Sequence, residues 1–209
     1  MSAQPVAATT PGIESFRGLH RGKRVFILAS GPSLRDHDLS PLRRRLTIGL
    51  NRSPLIWPET HYHCTMDERL FAEHPDVLRA ARYLFTLEDR PFGIPLRLLG
   101  AEGFSLDLCR GIYSGYTVAY FALQVAVYMG FSEVIYLGLD LCHRDGQTHF
   151  FGNDFRSRDH ESTEFPRMAR MMLRGVEAAT GLGVRVLNAS PLSTLDGIER
   201  ITYADAIAL

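Results

Sequence analysis

The chain alternates short apolar runs with polar turns, and the first run is the most regular. Residues 24–29 read Arg-Val-Phe-Ile-Leu-Ala and stop at Ser30-Gly31-Pro32-Ser33. A short run that is apolar throughout and ends at a glycine-proline turn predicts a strand buried on both faces. Such strands are typical of parallel sheets.

Similar runs recur downstream, and most end on a polar side chain. Three of them predict strands at residues 46–50, 62–66 and 133–138, which are followed by Asn51, Asp67 and Asp140. Residues 184–187 predict a last strand. Residues 75–112 are less regular and indicate only short strands near 83–85 and 96–98.

Three segments have helical patterns. Residues 115–129 place Val118, Ala122, Val125 and Met129 on one stripe and are otherwise almost entirely apolar, which predicts a buried helix. Gly130 is suited to end it. Pro166 suits the first turn of a helix that runs to about Ala179, and the capping box at 202–205 predicts a short terminal helix.

Strands separated by helices predict a Rossmann-like α/β fold, a mostly parallel, doubly wound sheet in one domain. We expect this domain to span residues 13–209, after a flexible tail at 1–12 and with a lid at about 143–164. Ligands of such sheets bind at the carboxyl ends of the strands, so the polar residues there should converge.

Charge and composition narrow the function classes. Lys+Arg and Asp+Glu number 23 each, so the protein has no net positive charge that would favour binding to nucleic acid. Cys64, Cys109 and Cys142 lack the spacing of a disulfide framework or zinc site, which fits a reducing cytoplasm. No run approaches the ~20 apolar residues of a membrane span. We expect a cytoplasmic protein, which a partner could hold at the inner face of the membrane; the sequence leaves its oligomeric state open.

Two turns are candidate anion sites. Gly31 permits close approach of the backbone, and Ser33 offers its hydroxyl and N–H to a phosphate; an ordinary tight turn is an equally good interpretation. Residues 114–117 precede the buried helix, where free N–H groups attract anions, although Ser114 could simply cap that helix. The chain lacks both the G-x-G-x-x-G pattern and the P-loop lysine.

The polar strand ends and the lid supply further candidates. Asn51, Asp67 and Asp140 could bind a ribose, a base or a sugar, and Asp140 could instead bind a metal ion; turn chemistry is the plainer interpretation. His61 and His63 could form a metal pair, but structural roles are favoured. The lid contains histidines and arginines suited to a general base and to binding phosphate or carboxylate, namely His143, His149, His160, Arg144, Arg156 and Arg158.

Taken in order, these motifs resemble the small bacterial sialyltransferases of glycosyltransferase family 42 and a wider group of Rossmann-like proteins associated with surface polysaccharides. The matching segments are residues 25–34, Leu50-Asn51-Arg52, Ser114-Gly115, residues 128–140, His160-Glu161-Ser162-Thr163 and residues 187–191. They cover most of the chain as short motifs.

The resemblance implies an inverting transferase that uses a CMP-activated acidic sugar, a glycan acceptor and no metal or other cofactor. It places Gly31, Pro32 and Ser33 at the phosphate, Asn51 and Ser114 at the donor, and His160 as catalytic base. The full predicted binding set is Ser30, Gly31, Pro32, Ser33, Asn51, Asp67, Ser114, Gly115, Asp140 and Arg156. The chain departs from the family at two places that concern the donor. Ser30 stands where the family has an asparagine, and Phe150 and Phe151 stand where the family has lid tyrosines that support the leaving phosphate. His149 or Arg156 could take over the role of those tyrosines.

Two alternatives stay open. The Gly-Pro-Ser and Gly-x-Asp pattern also resembles a family that contains an archaeal pterin pyrophosphokinase and proteins linked to flagellin modification. Asp67 and Asp140 would then coordinate Mg²⁺ with ATP. A non-catalytic protein that binds nucleotide sugars is the third class.

Overall fold

The computed structural model of the 209-residue chain describes residues 11–153 and 158–209, with side chains from 162 onward in the second range. Most of the predicted tail therefore lies outside the described residues. Within the described ranges, no helix is both long enough and apolar enough to span a membrane.

The observed strands confirm the strands predicted from the apolar runs, and they show which parts of the irregular segment 75–112 are strands. They are β1 (Arg24–Leu28), β2 (Thr47–Leu50), β3 (Tyr62–Cys64), β4 (Leu84–Leu87), β5 (Ile94–Leu96), β6 (Leu98–Gly100), β7 (Ile112–Tyr113), β8 (Glu133–Leu137), β9 (Arg185–Asn188) and β10 (Glu199–Arg200). Four of them, β4 to β7, lie in the region where the sequence pattern was weak.

Five α-helices and four 3₁₀ turns accompany the strands in the described residues. The helices are α1 (Arg69–Glu73), α2 (Pro75–Ala80), α3 (Val118–Tyr128), α4 (Arg158–Gly181) and α5 (Tyr203–Ala208). The 3₁₀ turns are Ile13–Phe16, Pro32–Asp36, Ser40–Arg44 and Ser53–Leu55. Thr202 caps α5 by accepting the backbone N–H of Asp205 at 3.1 Å, which confirms the predicted capping box.

In the part of the chain that the structure describes, eight strands form one parallel sheet in the order β10-β9-β8-β1-β2-β3-β4-β5, and β6 pairs with β7 separately. The sheet grows from β1 toward β5 in one direction and from β8 toward β10 in the other. The strand order thus reverses between β1 and β8, which is the switch point of a doubly wound sheet. This topology confirms the Rossmann-like prediction.

Alternate residues of β1 supply two separate cores. Val25 and Ile27 pack on the face that is covered by α3 and by Met171 and Met172 of α4. The intervening residues, Phe26 and Leu28, belong to a second core on the opposite face, with Leu34, Leu42, Trp57 and Ala206. Burial on both faces explains why the strand is apolar from Val25 to Leu28.

Helix α3 is buried almost all round, as predicted, but begins later than expected. Thr117, and not Ser114, is its N-cap, and its hydroxyl accepts the backbone N–H of Ala119 at 3.3 Å. Gly115 has a φ of 56° and Tyr116 a φ of 61°, so the chain enters the helix only after these left-handed residues. Gly130, with a φ of 85°, follows the end of α3 as predicted.

The prediction for α4 is wrong at its start. The helix begins at Arg158, and Pro166 lies inside it instead of in its first turn. A proline removes one backbone hydrogen bond, and in a helix of 24 residues the others and the packing of Met171 and Met172 outweigh that loss. Residues 158–164 of the predicted lid are therefore helical.

Candidate functional site

A cavity of about 470 Å³ opens where the strand order reverses. The turn after β1 contributes Ala29, Ser30 and Gly31 to its wall, and the turn after β8 contributes Gly138, Leu139, Asp140 and Leu141. The remaining wall comes from Leu50, Asn51, Met66, Asp67, Glu68, Arg69, Arg90, Tyr116, Thr117, Val118, Ala119, Thr148, His149, Glu164, Phe165 and Met168. Its volume and position suit a small-molecule ligand.

The first turn is occupied by an internal anion. The N–H and the hydroxyl of fully buried Ser33 donate to the Asp140 carboxylate at 2.8 and 2.7 Å. The Gly31 N–H donates to the Gly138 carbonyl at 2.8 Å, and Pro32 has no N–H. The donors that the sequence assigned to a phosphate are therefore bonded within the protein.

Close packing against the same carboxylate explains the glycine in this turn. A Cβ on Gly31 would lie within 3 Å of Asp140 Oδ2 and of the Gly138 carbonyl oxygen. The φ of Gly31 is −66°, so space and not backbone conformation demands glycine. Burial raises the pKa of Asp140, an effect that the two hydrogen bonds from Ser33 oppose.

Backbone strain is concentrated at this cavity. Among the described residues, four other than glycine have a positive φ, and three of them line its wall: Asn51 at 47°, Tyr116 at 61° and Leu141 at 49°. Such conformations are costly for residues with a Cβ, and they cluster at binding and catalytic sites. This clustering identifies the cavity as the candidate functional site independently of its shape.

Asn51 is held in a defined orientation. Its backbone N–H donates to the Cys64 carbonyl at 3.1 Å, and its side-chain oxygen accepts the hydroxyl of Thr65 at 3.0 Å. These bonds tie the end of β2 to the end of β3. The amide –NH₂ of Asn51 is consequently the part of this side chain that can donate to a ligand.

The second predicted turn, residues 114–117, lies partly behind the cavity wall and partly in it. The N–H groups of Ser114 and Gly115 donate to the carbonyls of Gly100 and Ala101 at 3.0 and 2.9 Å. Tyr116, Thr117 and Val118 line the cavity. The first N–H groups of a helix have no helical partner and attract anions, so the start of α3 is the part of the cavity wall best suited to an anion.

The charged side chains around the cavity are mostly paired with one another. Asp67 accepts Arg69 through both carboxylate oxygens, at 3.2 and 2.6 Å. Arg90, largely buried, donates to the Met66 carbonyl at 3.0 Å and lies 3.0 Å from Asp89. Glu164 pairs with Arg167, whose guanidinium lies 4.0 Å from the ring centre of Tyr116. A bound phosphate would therefore depend chiefly on backbone N–H groups and hydroxyls.

No group of three His, Cys, Asp or Glu side chains within the described ranges is arranged to hold a metal ion. His61 is bonded to Thr47, with 3.1 Å between its Nδ1 and the hydroxyl oxygen. His63 is fully buried, and that burial lowers its pKa to about 4. The structural role of both histidines stays a prediction.

The described part of the lid is anchored to the first turn. The Phe150 N–H donates to the Ser30 carbonyl at 2.9 Å, and the Phe150 side chain is buried in the second core. His149 stacks on Phe151, with ring centres 4.8 Å apart, and lines the cavity together with Thr148. Thr148 is only 4% exposed, and its hydroxyl has no hydrogen-bond partner among the described residues.

The structure brings together five residues of the predicted binding set in the cavity wall: Ser30, Gly31, Asn51, Asp67 and Asp140. Pro32, Ser33, Ser114 and Gly115 lie behind it. Arg156 lies outside the described residues, and of His160 only the backbone, within α4, is described. Their predicted roles, like those of the whole set, remain predictions.

Sequence reasoning missed several wall residues, notably Arg69, Arg90 and Thr148. The turn predicted at residues 114–117 contained Tyr116 and Thr117, although the sequence favoured Ser114 and Gly115 as the binding residues. Thr148 belongs to the predicted lid, but no sequence pattern distinguished it from the other lid residues. Arg69 and Arg90 reach the cavity only through the packing of the segment after β3.

No protein-family description and no curated protein sequence matches the chain. Among solved structures it is similar to the sialyltransferase CstII from Campylobacter jejuni, determined in complex with a substrate analogue, cytidine-5′-monophosphate. The TM-score is 0.53, with 12% identity over 87% of this chain and 86% of that one. Pen from Bacillus thuringiensis reaches a TM-score of only 0.33, with 8% identity over 82% of this chain and 50% of that one. The likeness to CstII extends over nearly the whole chain and establishes a shared fold.

Proposed function

We propose that this protein is an inverting glycosyltransferase that takes a nucleotide-activated sugar, with a CMP-sugar as donor and a glycan or glycoconjugate as acceptor. The observation that carries the proposal is the cavity at the switch point, whose wall contains three strained residues and the start of α3. The fold shared with a sialyltransferase and the sequence motifs support the choice of donor.

The donor phosphate would bind at the start of α3. The donors of the first turn are bonded to Asp140 and Gly138, whereas the Val118 N–H is the first of its helix. Thr148 lines the same cavity, and its hydroxyl, which has no partner among the described residues, would donate to the phosphate from the lid side. Asn51 would direct its amide –NH₂ to the ribose or the base.

The proposed reaction is a single displacement. The acceptor hydroxyl oxygen attacks the anomeric carbon on the side opposite the phosphate, and a base removes the hydroxyl proton. The bond from the anomeric carbon to the phosphate oxygen breaks, and its electron pair leaves with the CMP. Helix N–H groups and the Thr148 hydroxyl stabilise the charge that develops on this phosphate.

His160 is the proposed base, following the family resemblance. Its position in α4 is one helical turn before Glu164, which lines the cavity together with Phe165 and Met168. His149, whose imidazole lines the cavity, would act on the departing phosphate in place of the lid tyrosines of the resembled family.

Thermal stabilisation of the protein by nucleotides tests this proposal. We expect CMP and CTP to raise the melting temperature without Mg²⁺, since a ligand at 100 times its Kd adds about 2.7 kcal/mol to the free energy of unfolding. UDP, GDP and ATP should have smaller effects. Stabilisation by ATP that requires Mg²⁺ would instead favour a pyrophosphokinase, and no response to any nucleotide would contradict a nucleotide-dependent function.

A further inference from the structure

A second groove, with a volume of about 760 Å³, lies on the same edge of the sheet as the cavity. It begins at Glu88 and Arg97, which directly follow β4 and β5, and continues along the loop between β6 and β7. The function proposed above does not use this groove.

Apolar side chains are exposed along it. Leu99 is 40% exposed and Leu106 is 56% exposed, and Leu108 lies buried beside them in the wall. Exposed leucines that adjoin a concave surface indicate a binding site for an apolar group.

The fold also brings two arginines to this groove. The Ile112 N–H donates to the Arg97 carbonyl at 2.8 Å, and this pairing of β6 with β7 places Arg97 next to the turn that contains Arg110. Neither arginine has an ion-pair partner in the described part of the chain. The wall also contains two carboxylates: Asp107 is paired with Arg17, and Glu88 has no ion-pair partner among the described residues. Among the described residues of this wall, two arginines and one carboxylate thus have no ion-pair partner.

We propose that this groove binds an amphipathic part of the acceptor, with an apolar chain along Leu99 and Leu106 and a phosphate or carboxylate at Arg97 and Arg110. The amphipathic ligand follows from the groove alone. Its identification as the acceptor rests on the proposed transferase function.

The groove and the cavity are close enough for one molecule to reach both. Tyr113 lines the groove and Tyr116 lines the cavity. Three residues of chain span at most about 11 Å. An acceptor held by its apolar part in the groove would thus have its sugar within reach of the donor.

Calorimetric titration with dodecyl phosphate, below the concentration at which it forms micelles and with no nucleotide present, tests the binding. We expect saturable binding, at least tenfold tighter than that of inorganic phosphate or of neutral dodecyl maltoside. The double variant R97Q/R110Q and the variant Leu106→Gln should each weaken it by about tenfold or more.

Matched controls separate this site from general surface effects. Arg44→Gln removes an exposed arginine that does not line the groove. Leu182→Gln removes a leucine that is 49% exposed and also lies outside the groove. Both should bind dodecyl phosphate like the wild type, and circular dichroism should show all variants folded. The proposal would be overturned if inorganic phosphate or dodecyl maltoside bound as tightly as dodecyl phosphate. It would also be overturned if dodecyl phosphate did not bind. So would a dimer in sedimentation that Leu106→Gln dissociates, because a second copy would then fill the groove.

The acceptor assignment has its own readout. With an amphipathic phosphorylated acceptor, R97Q/R110Q should raise the KM for acceptor about tenfold and leave the KM for the CMP-sugar unchanged. An unchanged acceptor KM would overturn the assignment. If CMP binding fails while dodecyl phosphate still binds, the transferase proposal falls and the amphiphile site stands without it.

Discussion

Ser33 and Asp140 form a buried pair in which one residue satisfies both oxygens of the other. The backbone N–H of Ser33 donates to Oδ2 at 2.8 Å and its hydroxyl donates to Oδ1 at 2.7 Å. The pair joins the turn after β1 to the turn after β8, the two strands between which the sheet reverses. The anion that this glycine turn binds is thus part of the protein itself.

Removing either member of this pair should destabilise the fold. We expect Ser33→Ala and Asp140→Asn each to lower the free energy of unfolding by about 1–3 kcal/mol, because each leaves a buried polar group without its partner. The double variant should lose less than the sum of the two, with a coupling of about 0.5–3 kcal/mol. Urea unfolding of the four proteins measures this, and additive losses would contradict the coupling.

Gly31→Ala should be strongly destabilising. Its new Cβ would lie within 3 Å of the Asp140 carboxylate and the Gly138 carbonyl, both held in place by hydrogen bonds. We expect a loss of at least about 2 kcal/mol, as for other substitutions that overpack a core. Gly181→Ala is the matched control, since nothing lies within 4 Å of its Cβ position at the end of α4. It should be neutral or stabilise by up to about 1 kcal/mol, and equal losses in the two variants would refute the steric explanation.

Acidification should destabilise the protein through His63. Burial lowers the pKa of this histidine to about 4 in the folded state, whereas an unfolded histidine has a pKa near 6.5. Below about pH 6.5 the unfolded chain therefore binds a proton that the folded protein excludes, and the free energy of unfolding falls. Between pH 6.5 and 4 this loss is about 3 kcal/mol. In His63→Leu we expect a correspondingly shallower pH dependence in urea unfolding, and an unchanged slope would count against His63.

Thr148→Val should separate ligand binding from stability. The substitution preserves shape and removes a hydroxyl that has no partner among the described residues, so the melting temperature should stay the same or rise. Affinity for CMP should fall by about tenfold, which corresponds to the loss of one hydrogen bond to a charged group. Calorimetric titration with CMP checks this. Unchanged affinity would mean that Thr148 does not contact the nucleotide.

His160→Ala should abolish sugar transfer from a CMP-sugar and leave CMP binding intact, because a base acts on the acceptor hydroxyl and not on the nucleotide. Loss of a general base typically lowers the rate by about 10²–10⁴-fold. A transfer assay beside a CMP titration makes the distinction, with His74→Ala as the control histidine variant. A His160 variant that retains full activity would exclude this residue as the base.

Local signals along the chain were sufficient for much of the architecture. The strands β1, β2, β3, β8 and β9 were predictable because strands buried on both faces consist mainly of apolar residues. Gly130 and the capping box of α5 were readable because helix ends need particular side chains. The segment with β4 to β7 was only partly predictable. Its strands are two to four residues long, and β5 and β6 contain exposed positions, so they leave little apolar pattern in the sequence.

The sequence by itself determined the parallel α/β class and five of the residues that line the cavity. This was possible because apolar runs mark buried strands and polar residues mark the strand ends. Only the tertiary structure decided what those residues do there. It bonds Ser33 to Asp140, forces Asn51, Tyr116 and Leu141 into left-handed conformations, and leaves the Thr148 hydroxyl without a partner among the described residues. These relationships join residues that are remote along the chain, so packing alone decides which hydrogen-bonding groups are satisfied within the protein and which are left for a ligand.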